Sequence, residues 1–335
     1  LEELRSNKTL GERKIIELIF KQLEQMPQMP VPFGDDVSAY PLSKDKLAIL
    51  KTDMLVGKTD VPPGMSLWHA ARKAVIMNIS DFAAKGVTPL VLLASLGLPE
   101  NLTLAEITEI GKGLNAGARE YGAFIVGGDT NEASDLVISL SLFGIAEKSK
   151  VMLRSGARVG DLLAVTGSFG KTVAGLKILL EDVKIENKIR NILIDSVMMP
   201  HARLKEGLAL SETDAVTASI DSSDGLAWSL YEIARSSEVG FLIKQLPVAE
   251  EVKIFAEHSG MDPLELALYG GEEYELVITV KPELMGVAEE AVAKVGGRLI
   301  VIGKVISEKA VYLEAKGRRY AVEPKGWEHF KSNNV

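Results

Sequence analysis

The chain has 335 residues, 47% of them apolar and 25% charged, a composition ordinary for a globular enzyme and long enough for two packed domains. Its formal charge is −8, from 46 acidic and 38 basic residues, so no overall positive field draws it to nucleic acid or anionic lipid. It has no cysteine, which excludes disulfides, thiolate zinc sites, iron–sulfur ligation and thiol catalysis.

In chain order, a helix is expected first. Thr9 and Glu12 have capping-box spacing, Ile15, Ile16, Ile19 and Leu23 form an apolar stripe, and Pro27, Pro30 and Pro32 end it. A strand through Leu47 and Ile49 leads to Thr52 and Asp53 at its end, followed by turns at Pro62, Pro63 and Gly64. Ser66 begins a helix that runs past Trp68, Val75 and Ile76 to Gly86, and an apolar strand follows over 90–96. Thr103 and Glu106 cap another helix, a short strand over 123–126 stops at Gly127-Gly128-Asp129-Thr130, and 136–145 alternates as a half-buried strand.

The pattern breaks over 147–160, the candidate domain boundary. Strands then recur over 162–166, 216–221, 274–280 and 299–305, separated by helical segments that include 226–234 and 285–295. The fold class is α/β (α+β) with two αβ domains, 1–148 and 149–335. The longest apolar stretch, 87–99, falls short of the about 20 residues that span a bilayer, and no signal-peptide pattern is visible, so the expected location is cytoplasmic. Lys316, Arg318 and Arg319 around Gly317 read as a solvated turn beside a strand.

Aspartates recur at element ends: Asp35 and Asp36 after Gly34, Asp53 after Thr52, Asp129 after two glycines, and Asp221 and Asp224 where a strand meets a helix. Taken singly, each reads equally well as a cap or turn residue, and Asp224, expected in a first helical turn, fits that reading best. Asp81 fits it least, because it lies inside a helix, three residues from Asn78 on the same face. Convergent carboxylates repel phosphate unless cations lie between them, and hard divalent ions such as Mg²⁺ take such oxygens. Phosphoryl transfer uses that arrangement, and no nucleophile–histidine pattern competes with it among the four histidines.

Thr166 to Thr172 mimics a phosphate-binding loop, but its required first glycine would fall at Val165, so an ordinary strand-to-helix turn is expected. Arg154 suits either a nucleotide phosphate or a solvated surface. The acids of Gly270 to Leu276 suit either substrate or a turn, and Trp327 either stacks on an aromatic substrate or anchors the terminal segment.

In order, Gly34-Asp35-Asp36, Thr52-Asp53, Asn78-x-Ser80-Asp81-x-Ala83-Ala84-x-Gly86, Gly127-Gly128-Asp129-Thr130, Arg154-Ser155-Gly156, Asp221-x-Ser223-Asp224-Gly225, Gly270-Gly271-Glu272-x-Tyr274-Glu275-Leu276 and Lys325-Gly326-Trp327-x-His329-Phe330 resemble the thiamine-monophosphate kinase family. That family belongs with the aminoimidazole ribonucleotide synthetases and selenophosphate synthetases. The resemblance implies direct phosphorylation of thiamine monophosphate to thiamine diphosphate by ATP, with several Mg²⁺ ions and no phosphoenzyme. It also implies a homodimer paired through its N-terminal domains, with each active site in the cleft between the two domains.

Carried over to matching positions, Asp36, Thr52, Asp53, Asp81, Asp129, Asp221 and Asp224 become metal ligands, Asp35 a lesser candidate, and Asp81, Asp129 and Asp221 the catalytic set. Gly128, Asp129, Arg154 and Ser223 would contact ATP, and Asp60, Glu272 and Trp327 the thiamine substrate. The chain departs from the resemblance at Asp60, where many members carry a substrate-contacting histidine, and at Lys51, where a small hydroxyl residue is common. The absence of cysteine argues against the selenophosphate synthetases and the hydrogenase-maturation relatives. An aminoimidazole ribonucleotide synthetase-like ligase and a non-catalytic nucleotide sensor are the alternatives.

Overall fold

The computed structural model describes residues 11–330. Its first sheet has β1 (Ser38–Pro41), β2 (Lys46–Val56), β3 (Pro89–Leu98), β4 (Phe124–Glu132) and β5 (Val137–Glu147), in the order β1-β2-β5-β3-β4. The helices of this half are α1 (Glu12–Phe20), α2 (Gly57–Asp60), α3 (Leu67–Lys85) and α4 (Leu104–Glu120). Helix α1 has Gly11 as N-cap; the expected cap Thr9 lies outside the described residues.

The second half contains β6 (Leu162–Val165), α5 (Lys171–Glu181), α6 (Asn187–Met198), α7 (Leu204–Ser211), β7 (Val216–Asp221), α8 (Leu226–Ser237) and β8 (Gly240–Ile243). It continues with α9 (Glu250–Ser259), α10 (Pro263–Tyr269), β9 (Leu276–Val280), α11 (Met285–Lys294), β10 (Ile300–Ile306), β11 (Val311–Ala315) and β12 (Arg318–Ala321). Its seven strands run β12-β11-β8-β10-β6-β9-β7. Lys316 and Gly317, both at positive φ, make the tight turn between β11 and β12. Among the described residues, no helix is long and apolar enough to cross a membrane.

The centre of the molecule is α3. The Ser66 side chain accepts from the His69 N–H at its start, and Gly86, left-handed at φ 66°, closes its end. Alanines on several sides let it be buried nearly all round, against the inner face of the first sheet, α4, α7 and β7. A Cβ on Gly207 of α7 would stand 1.9 Å from the Ala83 carbonyl oxygen, so a side chain there would push α7 off α3. The core around α3 continues into Leu276, Ile278 and Val280 of β9, while Val277 packs on the other side of the second sheet.

Two strands differ from the sequence expectation. β2 pairs with β5 along its whole length, from Lys46 opposite Glu147 to Val56 opposite Val137, so Thr52 and Asp53 lie in mid-strand. Long-range pairing overrides the local turn reading there. β4 likewise continues through Gly127-Gly128-Asp129-Thr130. A Cβ at Gly128 would lie 1.8 Å from the Ala94 carbonyl oxygen, so this glycine permits the close approach of β3.

Candidate active site

Three carboxylates meet where the halves join. Asp36 comes from the loop before β1, Asp81 from the fifth turn of α3 and Asp221 from the last position of β7, and one oxygen of each lies within 4.8 Å of the other two. They are 4%, 6% and 3% exposed, so water does little to screen their repulsion.

Cations and hydroxyls of the chain hold this group. The fully buried Lys85, one turn after Asp81, places Nζ 2.7 Å from both Asp35 Oδ1 and Asp36 Oδ2 and donates to the Ser219 carbonyl oxygen of β7 at 2.7 Å. Arg154 donates through Nε to Asp36 Oδ1 at 2.7 Å, and its backbone N–H to Asp35 Oδ2 at 3.0 Å. Burial pushes the Asp36 carboxyl upward, but Arg154 and Lys85 outweigh it and hold it at about 2. Asp221 rises to about 6 through burial and repulsion from Asp36, despite the Ser80 hydroxyl that donates to its Oδ2 at 2.6 Å. Burial also raises Asp81 well above the usual carboxylate range; Lys51 opposes the rise, while Asp221, Asp53 and Asp36 add to it.

The β pleat decides which β2 residues reach this group. Lys51 and Asp53 share the face toward α3, with Lys51 Nζ 2.7 Å from Asp81 Oδ2 and 3.3 Å from Asp53 Oδ1. Thr52 belongs to the opposite face, where its hydroxyl donates to the Leu140 carbonyl oxygen at 2.9 Å. Gly128 and Asp129 are exposed on the edge strand β4, outside the three-carboxylate group. Asp224 precedes the N-cap Gly225 of α8 and makes no capping bond, so the expected first-turn role gives way to a position facing Arg13 Nη2 at 3.8 Å. The Arg13 guanidinium also stacks 3.7 Å from the centre of the Trp228 ring, and both residues line a cleft of about 170 Å³ with Arg154, Asp221 and Ser223.

A second cluster joins two of the substrate candidates. Lys73 of α3 donates to the Asp60 carbonyl oxygen at 3.0 Å and pairs with Glu272 Oε1 at 2.5 Å. The Asp60 carboxylate is turned to its own backbone and accepts from the Val56 N–H at 2.7 Å. Glu272 and Tyr274 both adopt positive φ, an uncommon geometry for side-chain-bearing residues, and their N–H groups donate to Ser223 and Ser222 at 2.6 and 2.9 Å. Trp327 donates its backbone N–H to the Asp224 carbonyl oxygen at 3.0 Å, and the residue is 37% exposed. It therefore anchors the terminal segment while remaining partly open to solvent.

The phosphate-loop mimic binds a carboxylate of its own chain. Glu273 Oε1 accepts from the N–H groups of Gly170 and Thr172, at 2.8 and 3.0 Å, at the start of α5. Burial raises its carboxyl to about 7 against those bonds. A raised folded pKa means that the bound proton favours the folded state, so this contribution is full below the unfolded value and is lost as pH rises through about 7. Urea melts of wild type and E273Q should diverge by up to roughly 3 kcal/mol between pH 4 and pH 8, with the variant gaining at high pH. Parallel stability curves would show an unshifted carboxyl.

Lys73 and Lys85 escaped the motif reading, and Ser80, which stands in one of the motifs, carried no expected role there. The signal for the lysines was their place on a helix with apolar residues on every side, where a buried charge demands a partner.

The pattern described as AIR synthase related protein, N-terminal domain, matches residues 34–146, and that of the C-terminal domain matches 158–316. Over 327 residues the chain is 37% identical to the thiamine-monophosphate kinase of Pyrococcus horikoshii, covering 97% of this chain and 98% of that one. It is 36% identical to the enzyme of the same name from Nitrosopumilus maritimus, covering 96% and 99%. The solved structure of AaThiL complexed with AMPPCP and TMP superposes with a TM-score of 0.85 at 31% identity, covering 97% of this chain and 99% of that one. With two AIR synthase-type domains, a buried carboxylate group between them and near full-length identity of this order, the chain belongs to the thiamine-monophosphate kinase family of phosphotransferases.

Proposed function

We propose that this chain transfers the γ-phosphoryl group of ATP directly to the phosphate of thiamine monophosphate. A terminal oxygen of the acceptor forms the new P–O bond, and ADP leaves with the electron pair of the broken one. The observation that carries the reading is the convergence of Asp36, Asp81 and Asp221.

An all-oxygen donor set from three buried carboxylates fits Mg²⁺, and the raised carboxyls of Asp81 and Asp221 mark a site where one more positive charge is favourable. Asp36, Asp81 and Asp221 would hold the ion, with Asp53 and Asp224 at the margin. When bound, divalent ions neutralise phosphate charge and align the reacting oxygens. Arg154, fixed by Asp36 and the Gly34 carbonyl oxygen, presents a guanidinium to the nucleotide side of the cleft, together with the exposed Ser223. Lys73, Glu272 and Trp327 flank the acceptor side. Lys85 and Lys73 both bridge the two halves, which favours a site in the cleft between them.

The outer face of the first sheet exposes Leu50, Met54, Leu93, Phe124 and Val126, an apolar surface suited to a second copy of the chain. Purified protein with ATP, Mg²⁺ and thiamine monophosphate should form thiamine diphosphate and ADP, with a light-scattering mass of two chains. No diphosphate would sink the kinase reading. ADP release with formylglycinamidine ribonucleotide would point to the ligase instead, and nucleotide binding without turnover to a sensor. A single-chain mass would remove the dimer.

A further inference from the structure

Each carboxylate of the central group has its own holder. Asp36 has Lys85 and Arg154, and Asp221 has the Ser80 hydroxyl. Among the described residues, the cation paired with Asp81 is Lys51, with Nζ 2.7 Å from Oδ2. The ammonium thus lies at the carboxylate that closes the three-oxygen group, on a side chain 18% exposed, with Asp53 Oδ1 at 3.3 Å as its next partner.

We propose that Lys51 is a tethered cation standing where a divalent ion engages Asp81, so that metal binding requires its ammonium to move away and Lys51 sets the metal affinity of the site. The inference rests on the metal reading above. Mg²⁺ binds a carboxylate oxygen at roughly 2.1 Å, and an ammonium kept on the same carboxylate would repel the ion across a few ångströms of poorly screened space. Lysine suits this role because its four-carbon stem is flexible and its charge compact. Asp53, on the same face of β2, gives the displaced ammonium a place to pair. Without metal, the same ammonium relieves the repulsion that Asp81 meets from Asp221, Asp53 and Asp36.

The test is Mn²⁺ binding to the full chain without nucleotide, followed by the electron paramagnetic resonance of free Mn²⁺, for wild type, K51M, K51Q and K51R. K51M and K51Q should bind Mn²⁺ about tenfold more tightly or better, whereas K51R stays within about threefold of wild type. Metal-free K51M should melt below wild type and gain more from saturating Mn²⁺. If K51M does not fold without metal, K51Q decides the affinity question. Neutral variants that bind Mn²⁺ no more tightly than wild type would overturn the role of Lys51 alone. Equal tightening in K51R would overturn it too, because charge would then not matter. Absence of Mn²⁺ binding in every variant would overturn both this inference and the metal reading.

Discussion

Replacing Asp81 by asparagine is expected to lower kcat by about 100- to 1,000-fold while leaving the protein folded, with a melting temperature at or above that of wild type. The shape of the side chain is conserved, so α3 keeps its packing. Removing the charge relieves a carboxylate that burial and its neighbours Asp221, Asp53 and Asp36 already disfavour. Lys51 keeps Asp53 as a partner at 3.3 Å, so the change does not strand a buried ammonium. What is lost is one of three converging oxygen charges, and with it the neutralisation that phosphoryl transfer depends on. Steady-state turnover with ATP and thiamine monophosphate, beside a thermal melt, separates the outcomes. A D81N enzyme of near wild-type kcat would remove Asp81 from the metal-holding set. An unfolded D81N would make Asp81 chiefly the structural partner of Lys51.

Lys85→Met should cost about 3–5 kcal/mol of stability at neutral pH. Methionine follows the lysine stem, but its sulfur cannot replace an ammonium that holds Asp35, Asp36 and the Ser219 carbonyl oxygen, each at 2.7 Å. Asp36 would keep Arg154, while Asp35 would lose its cation in a buried position. Ser219 belongs to β7, so the change also loosens the join between the halves. The pH dependence follows from Asp36, whose folded pKa is depressed to about 2. A depressed carboxyl contributes stability that is present above its unfolded value and lost as pH falls through the folded one. The gap between wild type and K85M should therefore be widest at neutral pH and shrink below about pH 4 in urea melts. A loss under about 1 kcal/mol at pH 7 would mean that the carboxylates find other partners.

Local signals could be read directly from the chain. Ser66, and Thr103 with Glu106, cap their helices as expected, because such bonds span three residues and involve nothing distant. Asp81 was correctly separated from capping aspartates by its place inside a helix. Asp224 was not: the helix begins at Leu226 as expected, but its N-cap is Gly225, which leaves Asp224 ahead of the cap and outside the first turn.

The order of the motifs assigned the chain to a phosphoryl-transfer family and gathered Asp36, Thr52, Asp53, Asp81, Asp129, Asp221 and Asp224 into one expected metal site, of which the fold brings Asp36, Asp81 and Asp221 within 4.8 Å of one another. What each residue does inside that site depended on partners far along the chain. Thr52 and Asp53 are adjacent in sequence yet face opposite sides of β2, a consequence of the eleven-residue ladder with β5. Asp60 and Glu272 are joined through Lys73, and Glu273 fills the start of α5 where a phosphate-loop mimic stood in the sequence. Lys51 entered the sequence reading as a departure from its relatives and became, in the fold, the cation on Asp81. The physical reason is that spacing and propensity act within a few residues, whereas the charge balance of a buried site is settled by whichever groups the packed core brings within about 4 Å.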